Sequence, residues 1–275
     1  MNEKLSQLQN ILREMGRAAV AYSAGIDSTL LLKIAHDTLG ENAIGLTAVS
    51  ASLPAHEKEE AAELARQIGA RHIFVESHET EDPRYLANPT NRCYFCKTNT
   101  YDELISYAQE HGFEYLVDGT NADDVGDHRP GRQAAREYGI RSPLQEVGLT
   151  KAEIRELARE LGLPNWDKPA AACLSSRVPY GTLITIETLG QVEQAENALR
   201  QLGFRELRVR HHEQVARLEV PPADFEAVLA QREAILSAFK ATGYHYVTLD
   251  LAGFRSGSLN EVLPNNGAQK TGERN

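Results

Sequence analysis

Residues 23–29, which read Ser-Ala-Gly-Ile-Asp-Ser-Thr, form a loop of mostly small residues between two apolar segments. The apolar run 18–22 predicts a buried strand, and Leu30, Leu31 and Ile34 are spaced for one face of a helix. Such a loop exposes backbone N–H groups at the positive end of the helix, which suits a phosphate. It lacks the Gly-Lys-Ser/Thr ending of a Walker loop. We therefore predict a phosphate-binding loop made by Ser23, Gly25, Ile26, Asp27, Ser28 and Thr29.

The first half of the chain alternates strand and helix patterns. Strands are predicted at 43–49, 72–76 and 115–118, and helices at 55–68 and 97–111. This order predicts an α/β fold with a doubly wound parallel sheet, whose ligands bind at the carboxyl ends of the strands.

Beyond Gly181 the pattern changes to helix, strand, strand, helix and strand. The predicted ranges are 186–202, 206–210, 214–220, 222–241 and 244–251. This order is typical of a second, smaller α+β domain. We therefore place the first domain at 1–168 and the second at 169–262. Residues 263–275 are polar and are predicted to form a disordered tail.

Composition narrows the functional class. The chain has 39 acidic and 29 basic residues and a formal net charge of −10, which argues against a broad nucleic-acid surface. It has no apolar stretch long enough to cross a membrane and no signal-peptide pattern, so a cytoplasmic protein without a membrane partner is predicted. Its 3 cysteines are an odd number, which disfavours a disulfide framework.

A second polar loop begins where the strand predicted at 115–118 ends. Its candidate nucleotide-binding residues are Asp118, Gly119, Asn121 and Asp124. On a doubly wound sheet this loop lies near residues 23–29, so its carboxylates can hold Mg²⁺ against the phosphates of ATP. We choose Asp27 and Asp124 as the predicted magnesium ligands.

The three cysteines are Cys93, Cys96 and Cys173, and the first two are spaced to reach one metal centre. A structural zinc site usually has four protein ligands, so His72, His78 or an aspartate would have to complete one here. Three thiolates around a [4Fe–4S] cluster would instead leave one iron open to an exogenous ligand. From the residues alone, zinc, a cluster and three unrelated thiols all stay open.

Several segments resemble known families. The loop at 23–29 and the loop from Asp118 are similar to the pyrophosphate loop and the second conserved segment of the ATP pyrophosphatases. Ala24 stands where the first of these has glycine, a mild change unless the position requires a positive φ. Residues 165–181, Asn-Trp-Asp-Lys-Pro-Ala-Ala-Ala-Cys-Leu-Ser-Ser-Arg-Val-Pro-Tyr-Gly, resemble the signature of the LarE family. These enzymes are ATP-dependent sulfur transferases of nickel-pincer nucleotide synthesis, and the resemblance covers nearly the whole chain.

The resemblance implies a definite reaction. ATP adenylates the carboxylates of pyridinium-3,5-biscarboxylic acid mononucleotide, pyrophosphate leaves, and a sulfur nucleophile displaces AMP to give thiocarboxylates. One type of LarE enzyme sacrifices its own cysteine, and the other holds a [4Fe–4S] cluster on three cysteines. Cys93, Cys96 and Cys173 match the cluster type, whereas Ala172 occupies the position of the sacrificial cysteine. The implied catalytic residues are these cysteines and Asp27, with ATP, Mg²⁺ and a [4Fe–4S] cluster as cofactors.

A substrate with a phosphate and two carboxylates requires cations. Arg208 and Arg210 alternate on a predicted strand and so share one face, from which the pair can grip a phosphate. Lys97, predicted to open a helix beside the cysteine pair, is a further candidate. The other candidates are Arg129 or Arg132 on the second loop, Ser176 and Arg177 after the third cysteine, and Glu196 and Glu219 from the resemblance. A lone arginine can equally be a surface cation, and Glu196 a solvated helix position.

The implied partners are the small-molecule nucleotide, a sulfide donor such as a desulfurase or free sulfide, and further copies of the chain in a homo-oligomer. Three rival functions stay open. A tRNA-thiolating ATP pyrophosphatase would use the same loop and cysteines, but the net charge of −10 counts against it. An amidating ATP pyrophosphatase would need no cluster, and a nucleotide sensor would bind ATP without turnover.

Overall fold

A computed structural model gives the fold for residues 2–126, 130–169, 172–255 and 257–263. The chain forms two compact units. The first contains the chain up to Leu174 and the segment Tyr180–Leu189, and the second contains Ser175–Pro179 and the chain from Gly190 onward. The domain boundaries at 168 and 262 stay a prediction. The predicted disorder of the tail falls, from residue 264, outside the described residues.

The first unit is built on a parallel sheet. Within the described residues its strands are β1 (Ala18–Ala21), β2 (Ala43–Val49), β3 (Arg71–Glu76) and β4 (Tyr115–Val117), in the order β3-β2-β1-β4. Ala18 lies opposite Ala43 on one side and Tyr115 on the other. All of these pairs are parallel, which confirms the predicted α/β class.

Helices precede, connect and follow these strands, and they cover both faces of the sheet. They are α1 (Asn2–Met15), α2 (Ile26–Leu39), α3 (Ala55–Ile68), α4 (Pro83–Leu86), α5 (Arg92–Glu110), α6 (Pro130–Glu137), α7 (Pro143–Glu146) and α8 (Lys151–Glu160). Side chains of β1 alternate between two apolar clusters, because successive residues of a strand point to opposite faces. Ala18 and Val20 belong to the cluster that includes α2, whereas Ala19 belongs to the cluster that includes α5.

One predicted helix start is wrong, with a consequence for the cysteines. Helix α5 begins at Arg92, so Lys97 lies inside it and does not open it. The low helix propensity of Cys-Tyr-Phe-Cys hides this first turn in the sequence. At this helix start the buried Arg92 guanidinium donates a 2.6 Å hydrogen bond to the side chain of Asn88, four residues earlier. Cys93 and Cys96 are therefore helical.

The second unit contains a smaller sheet, β5 (Arg208–His212), β6 (Val215–Glu219) and β7 (Tyr246–Leu249), in that order. The β5–β6 pair is antiparallel and the β6–β7 pair is parallel. Helix α9 (Ile186–Gln201) precedes the sheet, and α10 (Phe225–Ala230) and α11 (Arg232–Ala241) lie between β6 and β7. The predicted αββαβ order is thus confirmed, but the single helix predicted at 222–241 is wrong, since it is interrupted at Gln231.

Among the described residues, none of the helices has both the length and the apolar character needed to cross a membrane.

Candidate active site

The loop after β1 is closed by its own hydroxyl groups. Gly25 precedes the first residue of α2, and Thr29 N donates to its carbonyl at 2.9 Å. The Ser28 hydroxyl donates to the same carbonyl at 3.1 Å and accepts a hydrogen bond from Ser23 N at 3.2 Å. This geometry directs the first amide groups of α2 toward the carboxyl edge of the sheet, as the phosphate-loop prediction requires.

Ala24 adopts a left-handed backbone conformation, with a φ of 55°. The position that resembles a family glycine therefore does require a positive φ, and alanine holds it at a cost of about 1–2 kcal/mol. Two side chains of the signature segment compensate by donating to the Ala24 carbonyl: Asn165 Nδ2 at 3.1 Å and Lys168 Nζ at 3.5 Å. Asn165 Nδ2 also donates to the Thr29 hydroxyl at 3.0 Å. Sequence reasoning identified this segment as a signature but missed its support of the loop.

The second polar loop packs directly on the first. A Cβ atom on Gly119 would lie 2.8 Å from Ser28 N, so only glycine permits this approach. Asn121 connects the two predicted magnesium ligands, since its Nδ2 donates to Asp27 at 3.2 Å and its backbone N–H donates to Asp124 at 3.1 Å. The structure therefore brings the predicted nucleotide residues of both loops together.

Lys151, the first residue of α8, forms an ion pair with Asp27. Its backbone N–H donates to Asp123 at 2.7 Å, which fixes the start of the helix at the second loop. The sequence analysis missed Lys151. A usable signal was the capping box of Thr150 and Glu153, which marks Lys151 as the residue that opens a helix.

The Asp118 carboxylate accepts several hydrogen bonds from other residues of the first unit. It accepts hydrogen bonds from Thr120 N at 3.1 Å, from the Thr120 hydroxyl at 3.0 Å and from the Ser142 hydroxyl at 2.6 Å. It also accepts one from the Tyr101 hydroxyl at 3.3 Å, and the Lys97 ammonium lies 5.4 Å from the centre of the Tyr101 ring. Asp118 thus links the nucleotide loop to the cysteine-bearing helix α5.

Arg132 donates to the Asp124 carbonyl, and it lines a cavity of about 390 Å³ together with Arg136 and Arg141. The other predicted phosphate contact on this loop, Arg129, lies outside the described residues.

The three cysteines form one neighbourhood in the first unit. Cys93 and Cys96 lie one turn apart on α5 and so share a face of the helix. Burial raises the pKa of the Cys96 thiol to about 12, and the nearby charges of Glu79, Cys173 and Cys93 contribute to the same shift. Cys173 is held in place through the next residue, because Leu174 N donates to the Ser52 carbonyl at 3.0 Å.

A buried arginine accompanies these thiols. Burial alone would lower the pKa of Arg92, but the negative charges of Cys173 and Cys93 raise it above its usual value. The Arg92 guanidinium also lies 5.8 Å from the centre of the Tyr180 ring. The sequence analysis missed Arg92, although its position directly before Cys93 was an available signal.

The donor chemistry of this neighbourhood fits an iron–sulfur cluster, since three cysteine sulfurs, the usual ligands of such a cluster, lie together beside a buried cation. Among the described side chains, however, no group of three or more His, Cys, Asp and Glu has an arrangement that would hold a metal ion as it stands.

The second unit contains a separate cluster of buried arginines and glutamates. Arg177 donates to Glu196 at 2.8 and 3.1 Å, and Arg210 donates to Glu219 at 3.0 and 2.9 Å. Glu196 is fully buried, so a solvated helix position is the wrong interpretation of this residue. Burial by itself would raise the pKa of Glu196, but the Arg177 charge lowers it below the ordinary value. Both glutamates thus hold the arginines in place.

Arg208 differs from the other arginines of this cluster. It packs on Phe254, with the guanidinium 4.6 Å from the ring centre, and donates to the Arg255 carbonyl at 3.2 Å. Within the described part of the chain no carboxylate lies at ion-pair distance from it. Burial and the neighbouring charges of Arg210 and Arg177 lower the pKa of Arg208 to about 10. An anion bound here would offset this repulsion. Ser176 lies in the same cluster, since its carbonyl accepts a 2.6 Å hydrogen bond from Arg210.

No family model matches the chain. It is 48% identical over 265 residues to an uncharacterized protein of Synechocystis, with 96% of this chain and 99% of that protein covered. It is 40% identical over 261 residues to the pyridinium-3,5-bisthiocarboxylic acid mononucleotide synthase of Lactiplantibacillus plantarum, with 94% of this chain and 95% of the synthase covered. More distantly, it is 26% identical over 209 residues to one component of the glutamine-hydrolysing GMP synthase of Archaeoglobus fulgidus, with 67% of this chain and 64% of that component covered.

The likeness to the GMP synthase component is consistent with the parallel sheet and its phosphate loop. The likeness to the synthase of Lactiplantibacillus plantarum is closer and spans almost the full length of both proteins. On this evidence the chain belongs to the LarE family of pyridinium-3,5-bisthiocarboxylic acid mononucleotide synthases.

Proposed function

We propose that this protein is an ATP-dependent sulfur transferase. Its substrate is pyridinium-3,5-biscarboxylic acid mononucleotide, whose carboxylates it adenylates and converts to thiocarboxylates. The observation that carries this proposal is that one unit holds both a pyrophosphate loop joined to Asp27 and Asn121 and a neighbourhood of three thiols. We place the reaction in the cytoplasm and expect a homo-oligomer.

The two polar loops bind ATP in this proposal. Backbone amides at the start of α2 and the Ser23 and Ser28 hydroxyls bind the phosphates that leave as pyrophosphate. Asp27 and Asp124 are the residues that would hold Mg²⁺, which when bound would offset the negative charge of those phosphates. Lys151, which pairs with Asp27 beside the loop, is placed to donate to a phosphate oxygen of bound ATP.

The three cysteines supply the sulfur side of the reaction. Cys93, Cys96 and Cys173 are the residues that would hold a [4Fe–4S] cluster, which when bound would provide a site for a nucleophilic sulfide. The buried guanidinium of Arg92 lies near Cys93 and Cys173 and places a positive charge beside this site. With alanine at position 172, this protein is proposed not to sacrifice a cysteine there.

The arginines of the second unit bind the phosphate of the mononucleotide. Arg208 makes the principal contact because no carboxylate among the described residues neutralises it. Arg210 and Arg177 are held by Glu219 and Glu196 and add positive charge around the same anion. Ser176 contributes a hydroxyl donor.

The test is anaerobic purification and reconstitution, followed by iron, acid-labile sulfide and ultraviolet–visible measurements. We expect about four irons per chain, lost in Cys93→Ala, Cys96→Ala or Cys173→Ala. Asp27→Ala is the matched control, which should keep the iron but lose substrate-dependent pyrophosphate release. Absence of iron under these conditions would contradict the cluster-based mechanism. A mass loss equal to H₂S from the protein after turnover would then identify Cys173 as a sacrificial donor.

A further inference from the structure

A buried carboxylate, Glu79, lies beside the thiol neighbourhood and has no part in the reaction described so far. Only 3% of Glu79 is exposed to solvent. It accepts hydrogen bonds from the hydroxyls of Ser50, Ser52 and Ser77, the last two at 2.9 and 2.5 Å. Ser50 and Ser52 bind one carboxylate oxygen, and Ser77 binds the other.

Glu79 is unusual because hydroxyl groups alone compensate its burial. No Lys, Arg or His lies at ion-pair distance from it among the described residues. Burying a carboxylate without a cation is costly unless hydrogen bonds satisfy it, so this network must be well formed to persist. Such a network fixes the backbone segments that supply the hydroxyls.

One of those segments leads to the third cysteine. Ser52 N donates to the Ser50 hydroxyl at 3.1 Å, and the two hydroxyls lie 3.0 Å apart. The carbonyl of Ser52 in turn accepts the hydrogen bond of Leu174 N at 3.0 Å. Glu79 thus accepts hydrogen bonds from the hydroxyls of both Ser50 and Ser52. The backbone of this turn, at Ser52, binds Leu174, which is the residue next to Cys173.

The other side of Glu79 faces helix α5. The short helical turn Glu79–Glu81 packs directly against α5, the helix that carries Cys93 and Cys96. Cys93 and Cys96 are already fixed relative to each other by the helix. Cys173 lies outside α5, on the irregular segment directly before Leu174.

We propose that Glu79 is a positioning residue: through Ser50 and Ser52 it holds the Cys173 segment at the Cys93–Cys96 face of α5, so that the three thiols form one site. This inference rests on the proposed function only where it assigns a cluster-binding role to that site. The placement itself can be tested without iron, ATP or substrate.

The test measures thiol proximity with dibromobimane, which becomes fluorescent when it links two nearby cysteines. In the full chain, Cys93→Ser leaves the Cys96–Cys173 pair, and Cys173→Ser leaves the Cys93–Cys96 pair as a control within one helix. Adding Glu79→Ala should slow cross-linking of Cys96 to Cys173 by roughly tenfold, the factor expected from loss of a buried hydrogen-bonded group. The Cys93–Cys96 cross-link should be unchanged.

Three further variants separate positioning from general stability. Ser52→Ala should slow the same cross-link, whereas Glu79→Gln, which retains hydrogen-bonding capacity and size, should largely restore it. Glu81→Ala removes an exposed carboxylate nearby and should have no effect. Equal rates in Glu79→Ala and the parent would overturn the inference, and so would an equal fall for both cysteine pairs. If the reconstituted protein binds no iron while the Cys96–Cys173 cross-link still depends on Glu79, the proposed function is contradicted and the inference about Glu79 stands.

Discussion

The side-chain amide of Asn165 donates to the carbonyl of Ala24, across 3.1 Å, although the two residues are far apart in sequence. This contact supports a left-handed alanine in the loop that is proposed to bind pyrophosphate. The same amide group also holds the Thr29 hydroxyl at 3.0 Å. The signature segment therefore shapes the phosphate loop from outside it.

Asn165→Ala should weaken both folding and ATP use. It removes two buried hydrogen bonds, so we expect the free energy of unfolding to fall by about 1–3 kcal/mol. Relaxation of Ala24 should also raise KM for ATP. Urea denaturation and a pyrophosphate-release assay measure the two effects.

Ala24→Gly in the Asn165→Ala background is the matched test. Glycine adopts a positive φ without strain, so it should recover part of the ATP affinity. The explanation would be wrong if Ala24→Gly restored nothing while Asn165→Ala alone still raised KM.

Much of the first unit was predictable because local patterns and tertiary demands agree there. Strands β1 and β2 are nearly continuous apolar runs that are mostly buried, and this pattern is the one expected for the centre of a parallel sheet. Helix α3 even has the predicted bounds, Ala55–Ile68, because Gly69 ends it in a left-handed conformation.

The remaining parts depend on contacts distant in sequence, which periodicity cannot reveal. Arg92, the first residue of α5, is buried near Cys173, which is distant from it in sequence. Lys151 reaches Asp27 only because α8 and the second loop meet at the same sheet edge. Glu196 has the sequence context of a surface residue, and only the fold reveals that it is fully buried as an ion-pair partner of Arg177.

Lys151→Met should reduce catalysis far more than stability. The Lys151 and Asp27 side chains are 34% and 22% exposed, so their ion pair contributes at most about 1 kcal/mol to folding. Loss of a phosphate ligand should instead lower substrate-dependent pyrophosphate release by about tenfold or more.

Lys4→Met provides the control for Lys151→Met. The side chains of the Lys4–Glu153 pair have similar exposure, 33% and 29%, but neither residue has a proposed contact with phosphate. Both variants should lose comparable stability in urea titrations, and only Lys151→Met should lose activity. Equal activity in the two variants would exclude a phosphate role for Lys151.

His72 should make the protein less stable in mild acid. Burial lowers the pKa of His72 from 6.5 to about 4. The His72 ring packs against the rings of Tyr22 and Phe74, and its Nε2 lies 2.8 Å from the Thr47 hydroxyl. The unfolded chain therefore binds a proton that the folded chain does not. His72 therefore contributes stability above pH 6.5 that is lost as the pH falls toward 4. We expect the free energy of unfolding to fall by about 1–2 kcal/mol between pH 7 and pH 5, a figure reduced for the partial solvent exposure of the ring.

Urea titrations at pH 7 and pH 5 measure this loss, which His72→Gln should largely abolish. His78→Gln is the opposite control, since a hydrogen bond to Glu103 raises the pKa of His78. His78 therefore stabilises the folded protein at a pH below the pKa that it has in the unfolded chain, and this contribution is lost as the pH rises. A wild-type pH dependence that survives His72→Gln would assign the effect to other groups.

Arg208 and Arg210 should respond in opposite ways to the same substitution. Arg210→Met leaves the fully buried Glu219 without its bidentate partner, so unfolding should become easier by about 3–5 kcal/mol. Arg208→Met leaves no carboxylate unpaired and removes repulsion from Arg210 and Arg177, so its Tm should stay the same or rise. KM for the mononucleotide should nevertheless increase by about 10- to 100-fold, because a charge-assisted contact to phosphate is lost. Thermal melts and initial-rate kinetics on both variants decide the matter. If Arg208→Met melts early with an unchanged KM, then Arg208 supports the fold and does not bind the substrate phosphate.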